Sequence, residues 1–203
     1  MHAVIFDIDG TLVQSVEVDE SLYVKAIRLV LGQIEFRNSW ADYEFVTDTG
    51  ILSQVLADNT MTPRAGDIHE IERVFVESLN THISKNGPFV EVPGAKKYCQ
   101  SLCESEYHSV AMATGAWRSS ALVKLESAGF ETGVVPLATC NDSTSRAEIM
   151  EEALSKIGTR FDSITYYGDG SWDEKACSEL GWNFVAVGAV LGGLESYFGE
   201  SAA

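Results

Sequence analysis

The sequence predicts an α/β protein: a doubly wound parallel sheet of about five strands, with an α-helical segment inserted after the first. Three observations predict it. From Pro93 onward, short runs rich in β-branched and aromatic residues alternate with helix-length stretches, the pattern of strands joined by crossovers. One such run, Ala3–Phe6, stands alone ahead of them. Between the two, over residues 14–89, the texture turns from β-like to helical. The expected division is a core of residues 1–13 and 90–203 carrying a smaller helical unit, 14–89, and 203 residues suffice for both.

Ala3-Val4-Ile5-Phe6 reads as a strand buried on both faces. In the insert, Tyr23, Ile27, Val30 and Leu31 fall on one helical face, and Gly50 to Leu56 makes a second helix. Ile71, Val74, Phe75, Leu79 and Ile83 make a third, stopped by Asn86-Gly87-Pro88. A helix follows Pro93-Gly94 to about Ser105. Strands are then expected at Ser109–Ala113, Gly133–Leu137, Ser163–Tyr167 and Asn183–Val187. Helices at Trp117–Ala128, Arg146–Ile157 and Glu174–Leu180 separate them.

Composition excludes several classes. A formal net charge of −16 disfavours nucleic acid and anionic membrane surfaces as partners. No apolar run approaches membrane-spanning length. Asp7 and Asp9 interrupt the N-terminus at once, unlike a signal peptide, so a soluble cytoplasmic protein is expected. Cys99, Cys103, Cys140 and Cys177 lack a paired metal spacing and read as buried reduced thiols. His82, beside an apolar stripe, reads as a packed or solvated histidine. His2, His69 and His108 have no partner motif for a triad. The glycines from Gly188 to Gly193 do not follow the first strand, which argues against a dinucleotide fingerprint.

Polar residues recur where strands end, the ligand edge of a doubly wound sheet. Asp7 and Asp9 follow the first strand, and residues two apart in extended chain share a side. Desolvated carboxylates need partners, so the pair points to a metal or to chemistry; a plain surface turn at Asp9-Gly10 is the rival reading. Thr114-Gly115-Ala116 after the second strand offers a hydroxyl and free N–H groups as an anion site, or a simple helix cap. Ser145-x-x-Glu148 fits a capping box, with Arg146 at the first helical position. A cation there opposes the helix dipole, so it needs an anionic partner or solvent. Asp169 and Asp173 follow the fourth strand within Gly168-Asp169-Gly170-Ser171-Trp172-Asp173, and hard oxygen ligands of this kind suit Mg2+.

Asp7-Ile8-Asp9-Gly10-Thr11-Leu12 resembles motif I of the haloacid dehalogenase-like hydrolases. Thr114 resembles the motif II hydroxyl, and Gly168-Asp169 with Asp173 resembles motif IV. For the motif III lysine the counterpart is Arg146, where the lysine is replaced and the following proline is missing. The resemblance implies a Rossmann-like core with a helical cap, and a Mg2+ site of Asp7, Asp9 (through its backbone carbonyl) and Asp169, with Asp173 orienting Asp169 or a metal-bound water. It implies Asp7 as nucleophile forming an aspartyl-phosphate, Asp9 as general acid and base, and Thr114, Gly115 and Arg146 on the phosphoryl oxygens. Dehalogenases of the superfamily lack the second acid, so Asp9 points to phosphate esters. By position, Thr47, Asp48, Thr49 and Gly50 of the cap, with Trp117 and Arg118, are expected at the substrate; ordinary loop and helix-start surface is the rival reading. The expected activity is Mg2+-dependent hydrolysis of a small phosphorylated metabolite. A sugar-phosphate mutase is the alternative, and a non-catalytic phosphate binder a further one.

Overall fold

Ala3, Ile5 and Phe6 have no solvent exposure, as a central parallel strand covered on both faces requires. They belong to β1 (His2–Phe6) in a computed structural model that describes residues 1–158 and 160–198. β1 pairs in parallel with β2 (His108–Ala113) on one side and β4 (Ser163–Gly168) on the other. Beyond these lie β3 (Leu137–Ala138) and β5 (Asn183–Ala186), giving the order β3-β2-β1-β4-β5. The chain leaves β1 in one direction, then returns to its other side. Right-handed crossovers therefore put α4 (Ala95–Cys103) and α5 (Arg118–Ser127) on one face. They put α6 (Arg146–Ser155) and α7 (Ser171–Leu180) on the other.

Register fixes the site before any side chain is considered. Phe6 lies level with Met112 and Tyr167, so the residues that follow these strands emerge together at one edge. The Asp7 N–H still donates to the Tyr167 carbonyl at 2.9 Å.

Helices α1 (Val16–Leu31), α2 (Asp48–Asp58) and α3 (Asp67–Asn86) fill the stretch between β1 and α4, with one 3-10 turn at Trp40–Asp42. The stripe of α3 buries Ile71, Phe75 and Leu79 completely; truncating any of them to Ala costs about 2–5 kcal/mol. Tyr23 of α1, Phe75 of α3 and Trp117, just ahead of α5, form an aromatic cluster with ring centres 5.6–6.2 Å apart. Inserted helices and sheet edge thus share a core.

Three expectations need correction. Gly133–Pro136 are not strand; only Leu137–Ala138 pair with β2. Val134 is 65 % exposed, Gly133 has φ +86°, and Pro136 has no N–H to give, contributing only its carbonyl to Met112. Helix α7 begins at Ser171 rather than Glu174, because Asp173 at its third position accepts the Gly170 N–H and caps the start. Cys103 is exposed, while the other three free thiols are buried. Thr159 and residues 199–203 of the expected core lie outside the described residues.

Candidate active site

Two strand ends supply the carboxylates. Asp7 follows β1, and Asp169 and Asp173 follow β4; one oxygen from each lies within 4.8 Å of the others. Gly10 makes the approach possible. Its φ of +72° and missing Cβ leave space that the Asp169 carboxylate occupies, since a Cβ there would sit 2.1 Å from Asp169 Oδ2. Burial pushes the Asp7 carboxyl well above its ordinary range, against the lowering effect of Arg146, and the charges of Asp173 and Asp169 add to the rise. Burial, then the charge of Asp173, pushes Asp169 up to about 7.

Arg146 opens α6 as expected, and the anions it needs are there. Its Nη1 donates to Asp7 Oδ1 at 3.3 Å, and its Nε lies 2.9 Å from Asp173 Oδ1. The second contact is an ion pair without hydrogen-bond alignment, so both of its atoms are buried and unpartnered. Only half of the expected capping box forms. Ser145 accepts the Glu148 N–H, whereas the Glu148 carboxylate takes the Ser143 hydroxyl.

Thr114 is not a helix cap. Its hydroxyl accepts the Ala116 N–H at 3.2 Å within the loop, and α5 starts only after Trp117. Gly115 sits against the Val46 carbonyl with no room for a Cβ, and its own carbonyl accepts the Asp48 N–H at 2.8 Å. Thr114, Gly115, Asp7, Asp9, Arg146 and Asp169 all line one cavity of about 110 Å³, and Asp173 lies behind Arg146.

Asp9 is held apart from that acid trio. Its carboxylate accepts the Ser15 hydroxyl at 2.5 Å and the Lys124 ammonium at 2.6 Å. Lys124 also reaches Asp19 of α1 at 2.5 Å and is fully buried. The carboxylates hold its proton well above the ordinary lysine range, although burial opposes them. Asp19 is pushed up to about 7 by burial despite Lys124.

Of the insert residues expected at the substrate, Thr47 and Asp48 line the cavity. The others do not. Thr49 accepts the Trp117 indole N–H, and Gly50 packs on Phe45. Trp117 is buried in the aromatic cluster, where its backbone N–H holds Asp48 Oδ2 at 2.8 Å. Arg118 turns to Asp142 and the Leu137 carbonyl. Sequence reasoning missed Ser15, Asp19, Glu20, Tyr23, Trp40, Lys124 and Trp172. A signal for Lys124 existed: it lies three residues from Ala121 and next to Leu125, both on the buried face of α5. The others come from helix faces and a 3-10 turn that meet only in the fold.

The donors fit a hard divalent cation. They are all carboxylate oxygens, three acids crowded enough to repel, with Arg146 alone among the described residues set against Asp7 and Asp173. A cation there would reverse the upward shifts of Asp7 and Asp169.

Residues 1–181 match the family described as Hydrolase: haloacid dehalogenase-like hydrolase. No curated protein sequence matches the chain. Among solved structures, it is similar to a hydrolase from Pseudomonas syringae at 18 % identity and TM-score 0.73, covering 92 % of this chain and 84 % of that one. It is also similar to CbbY from Rhodobacter sphaeroides in complex with phosphate at 16 % identity and TM-score 0.71, covering 99 % and 90 %. CbbY has a further structure with xylulose-(1,5)bisphosphate, matched at 14 % identity, TM-score 0.71 and the same coverage. A β-phosphoglucomutase from Clostridium difficile matches at 15 % identity and TM-score 0.71, covering 92 % and 84 %. At these identities the likeness is one of fold.

Proposed function

The chain belongs to the haloacid dehalogenase-like hydrolases, and from that premise we propose that it is a Mg2+-dependent phosphatase hydrolysing a small phosphomonoester through an aspartyl-phosphate. The observation that carries the proposal is the meeting of Asp7, Asp169, Arg146 and Thr114, from four strand ends, around one cavity. Asp7, Asp169, Asp173 and the Asp9 backbone carbonyl are the proposed metal ligands. The bound ion would neutralise the substrate phosphate and the carboxylates that face it.

Asp7 attacks phosphorus, and the ester P–O bond breaks as the Asp7–phosphorus bond forms. Asp9 gives its proton to the leaving alkoxide, then takes one from the water that cleaves the aspartyl-phosphate and frees Asp7. Both Asp9 oxygens are engaged by Ser15 and Lys124, so one of those contacts opens during turnover. Arg146 and the Thr114 hydroxyl hold phosphoryl oxygens, with Gly115 letting the backbone come close. Residues 14–89 act as a cap that excludes bulk water. Among the described residues no helix is long and apolar enough to cross a membrane. Four unpaired cysteines support a cytoplasmic setting.

Release of phosphate from p-nitrophenyl phosphate, dependent on Mg2+ and abolished in Asp7→Asn, tests the proposal. Full turnover by Asp7→Asn would remove it. Phosphoryl exchange between sugar positions without release would put a mutase in its place.

A further inference from the structure

The cavity has two walls of different chemistry. The core wall carries Asp7, Asp169, Thr114 and Arg146, and the facing wall carries Asp19, Glu20 and Asp48 with the rings of Tyr23 and Trp40. Arg146 is the one cation among the described lining residues, and it is already committed to Asp7 and Asp173. Lys124 lies behind Asp9 and Asp19 and lines no part of the cavity. Even with a divalent cation bound, that ion, Arg146 and Lys124 together only balance Asp7, Asp9, Asp169 and Asp173. Lys124 is shared between Asp9 and Asp19, Glu20 and Asp48 have no ion pair among the described residues, and a phosphate ester brings further negative charge.

Asp48 sharpens the imbalance. It is 9 % exposed, and its Oδ2 takes the Trp117 N–H. Its other oxygen has no hydrogen bond among the described residues and is left to the cavity. A carboxylate oxygen open to a ligand space and without a protein partner can take a donor or a cation from the ligand. Burial, then the nearby Asp19, pushes the Asp48 carboxyl well up, against the lowering effects of the Lys124 charge and the Trp117 N–H. Aromatic walls beside acids are the surroundings that hold an ammonium group, through cation–π attraction and hydrogen bonds. The cavity, about 110 Å³, is small, which favours a short leaving group beside the phosphoryl group.

Resting on the phosphatase reading, we propose that the substrate is a small phosphomonoester whose leaving group carries an ammonium, the phosphate binding on the core wall and the amine between Asp48, Glu20 and Trp40. A second phosphate or a carboxylate on the leaving group would meet three acids there.

An isosteric series separates the cases. Isothermal titration of the wild-type protein with Mg2+ would use 3-aminopropylphosphonate, 3-hydroxypropylphosphonate and 3-phosphonopropionate, which are not hydrolysed. Affinity is expected to fall at least tenfold from amine to alcohol and again from alcohol to carboxylate. In Glu20→Gln and Asp48→Asn the amine-to-alcohol ratio is expected to shrink towards one. Equal affinities, or tighter binding of the carboxylate, would overturn the proposal whether or not the protein hydrolyses anything. Turnover of 2-aminoethyl phosphate, 2-hydroxyethyl phosphate and p-nitrophenyl phosphate reads the hydrolase itself. If all three fail while the phosphonate order holds, only the phosphatase reading is lost.

Discussion

The two walls of the cavity are built in opposite ways. On the core wall each acid follows a strand end by a fixed number of residues, and an arginine from the same sheet edge stands against the acids. On the insert wall the acids come from helices α1 and α2, and the cation paired with Asp19, Lys124, comes from α5 of the core. The core acids face an arginine of the core itself, whereas the insert wall depends on a side chain the insert does not own. On the proposed reading, chemistry common to all substrates sits in the part with local geometry, and discrimination in the part assembled by tertiary packing.

The first way to break this contrast is to disable the core wall alone. Asp169→Ala should lower Mg2+-dependent turnover about a thousandfold, a loss of about 4 kcal/mol of transition-state stabilisation. Thermal melting should show a fold at least as stable as before, because the change relieves crowding around Asp7 and Asp173. A variant that melted far lower would mean that the acids are structural.

Lys124→Met attacks the junction between the walls. Leaving Asp9 and Asp19 buried without their cation should cost about 3–5 kcal/mol, a fall in Tm of about 10 °C or more. Adding Asp19→Leu should recover part of it, as an apolar pair replaces a buried ionic one. No recovery in the double variant would show that Lys124 serves Asp9 alone.

Arg146→Lys keeps the charge but loses the planar fork that faces Asp7 and Asp173. Steady-state kinetics should show KM for p-nitrophenyl phosphate up roughly tenfold, the size of one lost charged hydrogen bond. Unchanged KM would take phosphate binding away from this residue.

The last test is pH, which acts on both walls at once. Asp169 and Asp19 are both pushed up to about 7 from an ordinary 3.8. A carboxyl raised on folding contributes stability that is whole below its unfolded value and is lost as pH rises through the folded one. Metal-free protein should therefore melt several degrees lower at pH 8 than at pH 5. Mg2+ should restore the share due to Asp169 and leave that due to Asp19. A flat profile would contradict both shifts.

The same contrast explains what could be read in the sequence. Asp7, Asp9, Asp169 and Asp173 were legible because a strand followed by acids at fixed spacing is a local pattern, and parallel register brings such ends together. Arg146 was legible as the first residue of a helix with a capping serine. Third-strand limits were misread because apolar Val134 and Val135 carry β propensity, whereas the edge position and Pro136 allow only two residues to pair. Glu20, Trp40 and Trp172 had no local signature, since what unites them is a shared cavity. Thr49, Trp117 and Arg118 lay near the right places in the chain, but side-chain direction sent them into packing and surface ion pairs.

Trp117 leads further than its position in the core suggests. Its ring is wedged against Tyr23 and Phe75 while its main chain continues the loop that carries Thr114. If residues 14–89 swing outward as the proposed cap, that motion must drag or shear the indole and change its surroundings. The emission lost in Trp117→Phe would then be an optical gauge of the opening, with no attached dye.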